Sequence, residues 1–215
     1  MGIKMRIRPR LNFTALFVGG GIFAATLVGT ASAQTMRVTD DWVTLRPPGG
    51  GFHILMPPDW RQDTPRTPNG KLSFIAKQPA PSRRPGVTNC LVVVKATPDT
   101  ADFTQAAIDE AFNAPAPPEV VQGIVSTLRD PSMRENRVVR VSNQSVWFMS
   151  YSGSYESLNA KVYTVTASVM LMRRGQTYNV TCGAFDTTPQ RGEAAWNAWQ
   201  PILMLILGTF TTEDF

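Results

Sequence analysis

Histidine occurs once in the 215-residue chain, at position 53, and cysteine twice, at positions 90 and 182. That scarcity narrows the chemistry. Zinc sites draw on several His and Cys ligands, and one histidine with one pair of cysteines cannot make the common sets. There is no Cys-x-x-Cys of the thioredoxin type and no Gly-x-Ser-x-Gly nucleophile elbow. Gly49-Gly50-Gly51 has the spacing of neither the Walker loop nor the dinucleotide fingerprint. Carboxylates stand side by side at Asp40-Asp41, Asp109-Glu110 and Glu213-Asp214. Neighbours on a helix or strand do not face one another, so these read as solvated charge rather than acid–base pairs. No catalytic residue, cofactor or metal is expected.

Basic charge is also scarcer than the whole chain suggests. There are 21 Lys and Arg against 16 Asp and Glu. Four of the basic residues, Lys4, Arg6, Arg8 and Arg10, lie in the first 33 positions, leaving 17 against 16. Nucleic-acid binding needs a concentrated basic surface and loses its support. Those four residues instead precede an apolar run from Leu11 to about Thr30, then Ala31-Ser32-Ala33. This is the pattern of a secretory signal peptide cleaved after Ala33. The alternative is a retained anchor, since the run approaches spanning length. Gly19, Gly20, Gly21, Thr26 and Thr30 dilute it. No stable membrane anchor is expected after cleavage, and the chain is read as periplasmic or secreted.

Residues 34–215 suit one domain. In an exported chain a single cysteine pair suggests a Cys90–Cys182 disulfide; two buried free thiols are the alternative. Short apolar runs predict strands at Trp42–Leu45, Phe52–Met56, Leu72–Lys77 and Cys90–Ala96. Helical spacing predicts one helix from Thr97 to Phe112 and another over Glu119–Leu128. Strands follow at Arg137–Ser142, Ser145–Tyr155, Ala160–Met172 and Gln176–Phe185, the last two forming a hairpin about Arg173-Arg174-Gly175. In that hairpin Tyr163, Val165, Ala167, Val169 and Leu171 share an apolar face. Thr164, Thr166, Ser168, Thr177, Asn179 and Thr181 make the other face polar, read as solvent-facing or as a surface for a polar ligand or glycan. Tyr151 and Tyr155 alternate with serines and are expected to point away from it. Thr188-Pro189 caps a last helix whose Trp196, Trp199, Leu203, Ile206 and Leu207 form one strip. Pro201 is expected to kink or divide that helix.

Three stretches, GFHILMPPDW, VYTVTASVMLMRRGQTYNVTCGAF and WNAWQPILMLILGTF, carry a likeness. In this order they resemble the PsbP-like family, which includes the Mog proteins and many exported bacterial proteins. The resemblance covers about residues 40–212. It implies an α+β fold, an antiparallel sheet with helices packed on it as an α/β/α sandwich. It also implies a non-enzymatic accessory protein that binds another protein, and it supplies no catalytic motif.

Two further features bear on function. Residues 57–88 carry Arg61, Arg66, Lys71, Lys77, Arg83 and Arg84 against Asp59 and Asp63. With Trp60 as an apolar anchor, Arg61, Arg66, Arg83 and Arg84 make a candidate docking edge for an acidic envelope protein or another anionic envelope component; ordinary solvated loops are the alternative. His53 would be the one histidine available to a hydrolase triad. It alternates with Phe52, Ile54 and Met56, and the strand reading is preferred.

Overall fold

The computed structural model describes residues 38–63, 71–78, 84–157 and 160–213. The chain divides between Thr35 and Met36 into two units, and every described residue belongs to the second.

Seven antiparallel strands make the central sheet. In chain order they are β3 (Arg61–Gln62), β4 (Lys71–Lys77), β5 (Val87–Ala96), β6 (Arg129–Val141), β7 (Gln144–Ser157), β8 (Ala160–Arg173) and β9 (Gln176–Asp186). Their spatial order is β3-β4-β5-β9-β8-β7-β6. A small sheet is built from β1 (Val43–Leu45), β2 (Phe52–Met56) and β10 (Thr211–Thr212), with β2 in the centre. Helices α1 (Gln105–Ala111) and α2 (Pro118–Val125) cover one face of the large sheet, and α3 (Pro189–Gly208) covers the other.

The hairpin alternation holds on the α3 face. Val165, Ala167, Val169 and Leu171 of β8 are buried there with Tyr178, Val180, Cys182 and Ala184 of β9. All five residues of the strip expected on α3 are buried against them. Phe52, Ile54 and Met56 of β2 close the same core, and Phe52 meets Phe210 at 5.6 Å between ring centres. Cys90 and Cys182 are opposed across β5 and β9 and form the disulfide, fully buried.

Helix α3 runs through Pro201 as one helix, so the expected division does not occur. Pro201 and Asn197 are both exposed, so water can take the place of the lost hydrogen bond. The helix expected over residues 97–112 is split. A short 3-10 turn occupies Pro98–Thr100. Thr104 is then extended, and its hydroxyl accepts from the Ala107 N–H to start α1. Phe103, inside the span expected to be helical, is 55% exposed in the gap. Strand β6 begins eight residues earlier than expected and includes Pro131. As an edge strand it can hold a proline, and two register shifts interrupt its pairing with β7. Ser142 and Asn143, both with positive φ, make the tight turn between β6 and β7.

Candidate functional site

The polar face of the hairpin is the main departure from expectation. Thr164, Thr166, Ser168 and Thr177 are 3%, 4%, 0% and 7% exposed. They are not a solvent surface. A buried hydroxyl needs a partner, and here the hydroxyls supply one another. Thr164 and Thr166 lie 2.9 Å apart. Ser168 donates to Asn179 Oδ1 at 2.6 Å, and Thr181 donates to Ser168 at 3.2 Å.

Above this ribbon the sheet and α2 border an open cleft with a volume of about 440 Å³. Thr164, Thr166 and Thr181 form its floor, and Tyr151, Tyr155 and Phe185 stand around it. Ile124 and Leu128, from α2 and the turn after it, form the roof. Exposed Thr127 and Glu156 mark the mouth. Two glycines shape the space. A β-carbon at Gly183 would lie 3.0 Å from the Phe185 ring and 3.1 Å from Thr166 Oγ1. One at Gly153 would lie 3.1 Å from the Leu128 side chain. Both contacts are tighter than most in folded proteins and would push the neighbour back by a few tenths of an ångström, so glycine lets Phe185 cross the floor and Leu128 descend from the roof.

The roof is held from the edge of the sheet. Asn136 of β6 accepts from the Ala116 N–H at 3.0 Å and donates to the Ala116 carbonyl at 2.8 Å. Trp147 Nε1 donates to the Ala114 carbonyl at 2.9 Å, and its ring stacks on Phe112 at 4.3 Å. These contacts clamp the α1–α2 connection and so fix α2 over the sheet.

The electrostatics of the cavity are quiet. Burial pushes the Tyr151 phenol up to about 12, with the Thr181 hydroxyl working against the shift. Burial raises Tyr155 as well. Both phenols stay neutral at ordinary pH. Glu156 at the mouth pairs with Arg129 at 2.8 Å.

Tyr151 and Tyr155 were expected on the opposite face. Tyr151 pairs directly with Thr166, which puts both tyrosines on the threonine side. Asn89, Leu91, Ile124, Leu128 and Phe185 were not singled out in the sequence, and only their three-dimensional convergence marks them.

The expected docking edge is only partly placed. Arg66 and Arg83 lie outside the described residues. Arg61 is exposed on β3, opposite Lys77 of β4. Trp60 packs edge-on against Trp199 of α3 at 6.2 Å. Arg84 donates to the Ala198 carbonyl at 2.9 Å and lies 5.0 Å over the Trp199 ring. Trp60 and Arg84 therefore fasten the edge loops to α3 and are not free anchors. His53 lies in the middle strand of the small sheet, opposite Thr211, and its buried Nδ1 has no hydrogen-bond partner. A triad histidine needs a partner to orient its ring, and Nδ1 has none. Among the described residues no cluster of three His, Cys, Asp or Glu is placed to hold a metal ion. Nor is any described helix long and apolar enough to cross a membrane.

No family model matches the sequence, and no curated protein does. Similarity is found among solved structures. A point mutant of Mog1 superposes with a TM-score of 0.50 at 10% identity, over 80% of this chain and 96% of that one. The chain has a Mog1-like fold. The PsbP-like expectation of an antiparallel sheet with helices on its faces therefore stands. The solution structure of CyanoP, the cyanobacterial PsbP from Synechocystis, gives 0.47 at 12% identity over 86% of this chain and 98% of that one. LpqN of Mycobacterium tuberculosis, described as involved in cell envelope biogenesis, gives 0.43 at 14% over 80% and 91%. At these identities the likeness is one of fold.

Proposed function

We propose that the chain is an exported, non-catalytic binding protein that carries a small molecule in the cavity beneath α2. One observation carries the reading: a space of about 440 Å³ combines a hydroxyl floor with tyrosine, phenylalanine and leucine walls. Ligand sites are typically concave, mostly apolar and equipped with a few converging polar groups. Export is supported by the basic, apolar and small-x-small order of residues 1–33 and by the disulfide.

Docking of an acidic envelope protein on the β3–β4 edge is the second reading. Exposed Arg61 at the end of the sheet favours it. Its weakness is that Trp60 and Arg84 already contact α3. A hydrolase using His53 has no comparable support.

Native mass spectrometry of the protein purified gently from periplasm tests the carrier reading. The expected result is a bound species of small mass, released on denaturation and absent from an Ile124→Trp variant that stays folded. The same bound mass on both proteins would place the ligand elsewhere. An empty wild type that also fails to take up any small probe would end the reading.

A further inference from the structure

The walls of the cavity select among ligands, and this inference rests on the carrier reading above. We propose that the ligand is an uncharged, flat-ring molecule carrying a hydrogen-bond acceptor. The ring would lie against Tyr155, Phe185 and Leu128, and the acceptor on the Thr164–Thr166 pair.

Charge is the first constraint. Among the described residues that line the cavity, Glu156 is the one charged side chain, and Arg129 already holds it at the mouth. A carboxylate or phosphate entering here would leave water without gaining a cation, which is costly. An ammonium would meet a Glu156 carboxylate whose charge Arg129 already offsets, at the exposed mouth rather than beside the floor. Both tyrosine phenols stay neutral, so no ionised group forms inside as pH varies around neutrality.

Shape is the second constraint. Tyr155 and Phe185 meet edge to face with ring centres 6.4 Å apart. Such a pair presents ring edges and faces that favour another flat ring. Leu128 approaches from above through the space that Gly153 leaves. The volume suits one small molecule rather than a polymer segment.

Hydrogen bonding is the third. A hydroxyl pair shares one proton in its mutual bond, so the 2.9 Å Thr164–Thr166 contact leaves a second O–H to donate. A plain alkyl chain would cover that donor and leave it unmatched. A carbonyl, ether or phenol oxygen would satisfy it.

Three probes with one ring and different charge test this: methyl p-hydroxybenzoate, p-hydroxybenzoate and tyramine. Binding is measured by calorimetry and ligand-observed NMR at neutral pH. The neutral ester should bind with a Kd in roughly the millimolar range for its size, and at least about tenfold more tightly than either ion. Ile124→Trp, which drives an indole into the cavity from α2, should abolish ester binding. Tyr155→Ala should weaken it about two- to tenfold through loss of ring contact. Melting curves of both variants check that they fold, and if Ile124→Trp does not, Tyr155→Ala decides the location. Equal or tighter binding of an ion, lost in the variants, overturns the ligand class but keeps the cavity as the site. No ester binding at about ten times the Kd expected from its size, or binding untouched by the folded variants, overturns the carrier reading itself.

Discussion

Replacing both cysteines, Cys90→Ala with Cys182→Ala, removes a bridge across 92 positions of chain. In the chain-entropy description, closing a loop of that length lowers the entropy of the unfolded state by an amount worth about 4–5 kcal/mol. The folded state gives little back. The two residues are directly opposed in the β5–β9 ladder, which pairs from Val87–Phe185 to Ala96–Gln176. Those hydrogen bonds should persist without the sulfurs. Both sites are fully buried, so the alanines also leave small voids, adding about 1 kcal/mol. The expected loss is about 4–6 kcal/mol, a large share of a typical domain's 5–15 kcal/mol. It corresponds to a fall in Tm of roughly 10–20 °C for a domain of this size. Guanidinium unfolding of the oxidised protein and the double variant measures it, with thiol titration confirming that the wild type has no free sulfhydryl. A loss under about 1.5 kcal/mol at unchanged m-value would mean that the bridge constrains little of the unfolded chain, contrary to this expectation.

Three more outcomes follow from particular contacts. Tyr151 has its pKa raised from 10.0 to about 12, so the folded state holds the phenolic proton more tightly. Its contribution, about 2–3 kcal/mol, is complete below pH 10 and is lost as pH rises through 12; Tyr151→Phe should flatten that loss in alkaline denaturation, and an unchanged profile would contradict it. Arg84→Ala should lower stability in chemical denaturation by about 1–2 kcal/mol, through the lost Ala198 hydrogen bond and the seat over Trp199. Gly86 has a φ of +73° and would place a β-carbon 2.4 Å from Ala195 Cβ, so Gly86→Ala should cost about 2–4 kcal/mol in the same assay.

The sandwich itself was legible because its signals are local. Alternation in β8 and β9 and the tryptophan–leucine strip of α3 each declare a buried face without knowledge of the partner. The cavity was not legible, because its faces depend on pairing. Whether Tyr151 sides with the threonines is decided by Ser157 pairing with Ala160, which sets Tyr151 opposite Thr166. A slip of one residue there would turn both tyrosines to the α3 side. Threonine and serine on a strand also read as a wet surface, since their burial needs a roof. That roof depends on Asn136 and Trp147 holding the α1–α2 connection, contacts 20 and 33 residues apart in sequence. Thr104 and Phe103 show the reverse case: helical spacing suggested one helix, but an extended capping residue broke it. In the Arg-rich loops, composition suggested a docking edge. Tertiary contacts of Trp60 and Arg84 with α3 drew two of its residues into the fold.

The most direct test of the cavity as the binding site is a titration with methyl p-hydroxybenzoate followed in backbone amide correlation spectra. The largest shifts should fall on Ile124, Leu128, Tyr151, Thr166 and Phe185, which surround the cavity. Shifts concentrated instead around Arg61 and Lys77 at the far edge of the sheet, with the cavity residues unmoved, would contradict this placement.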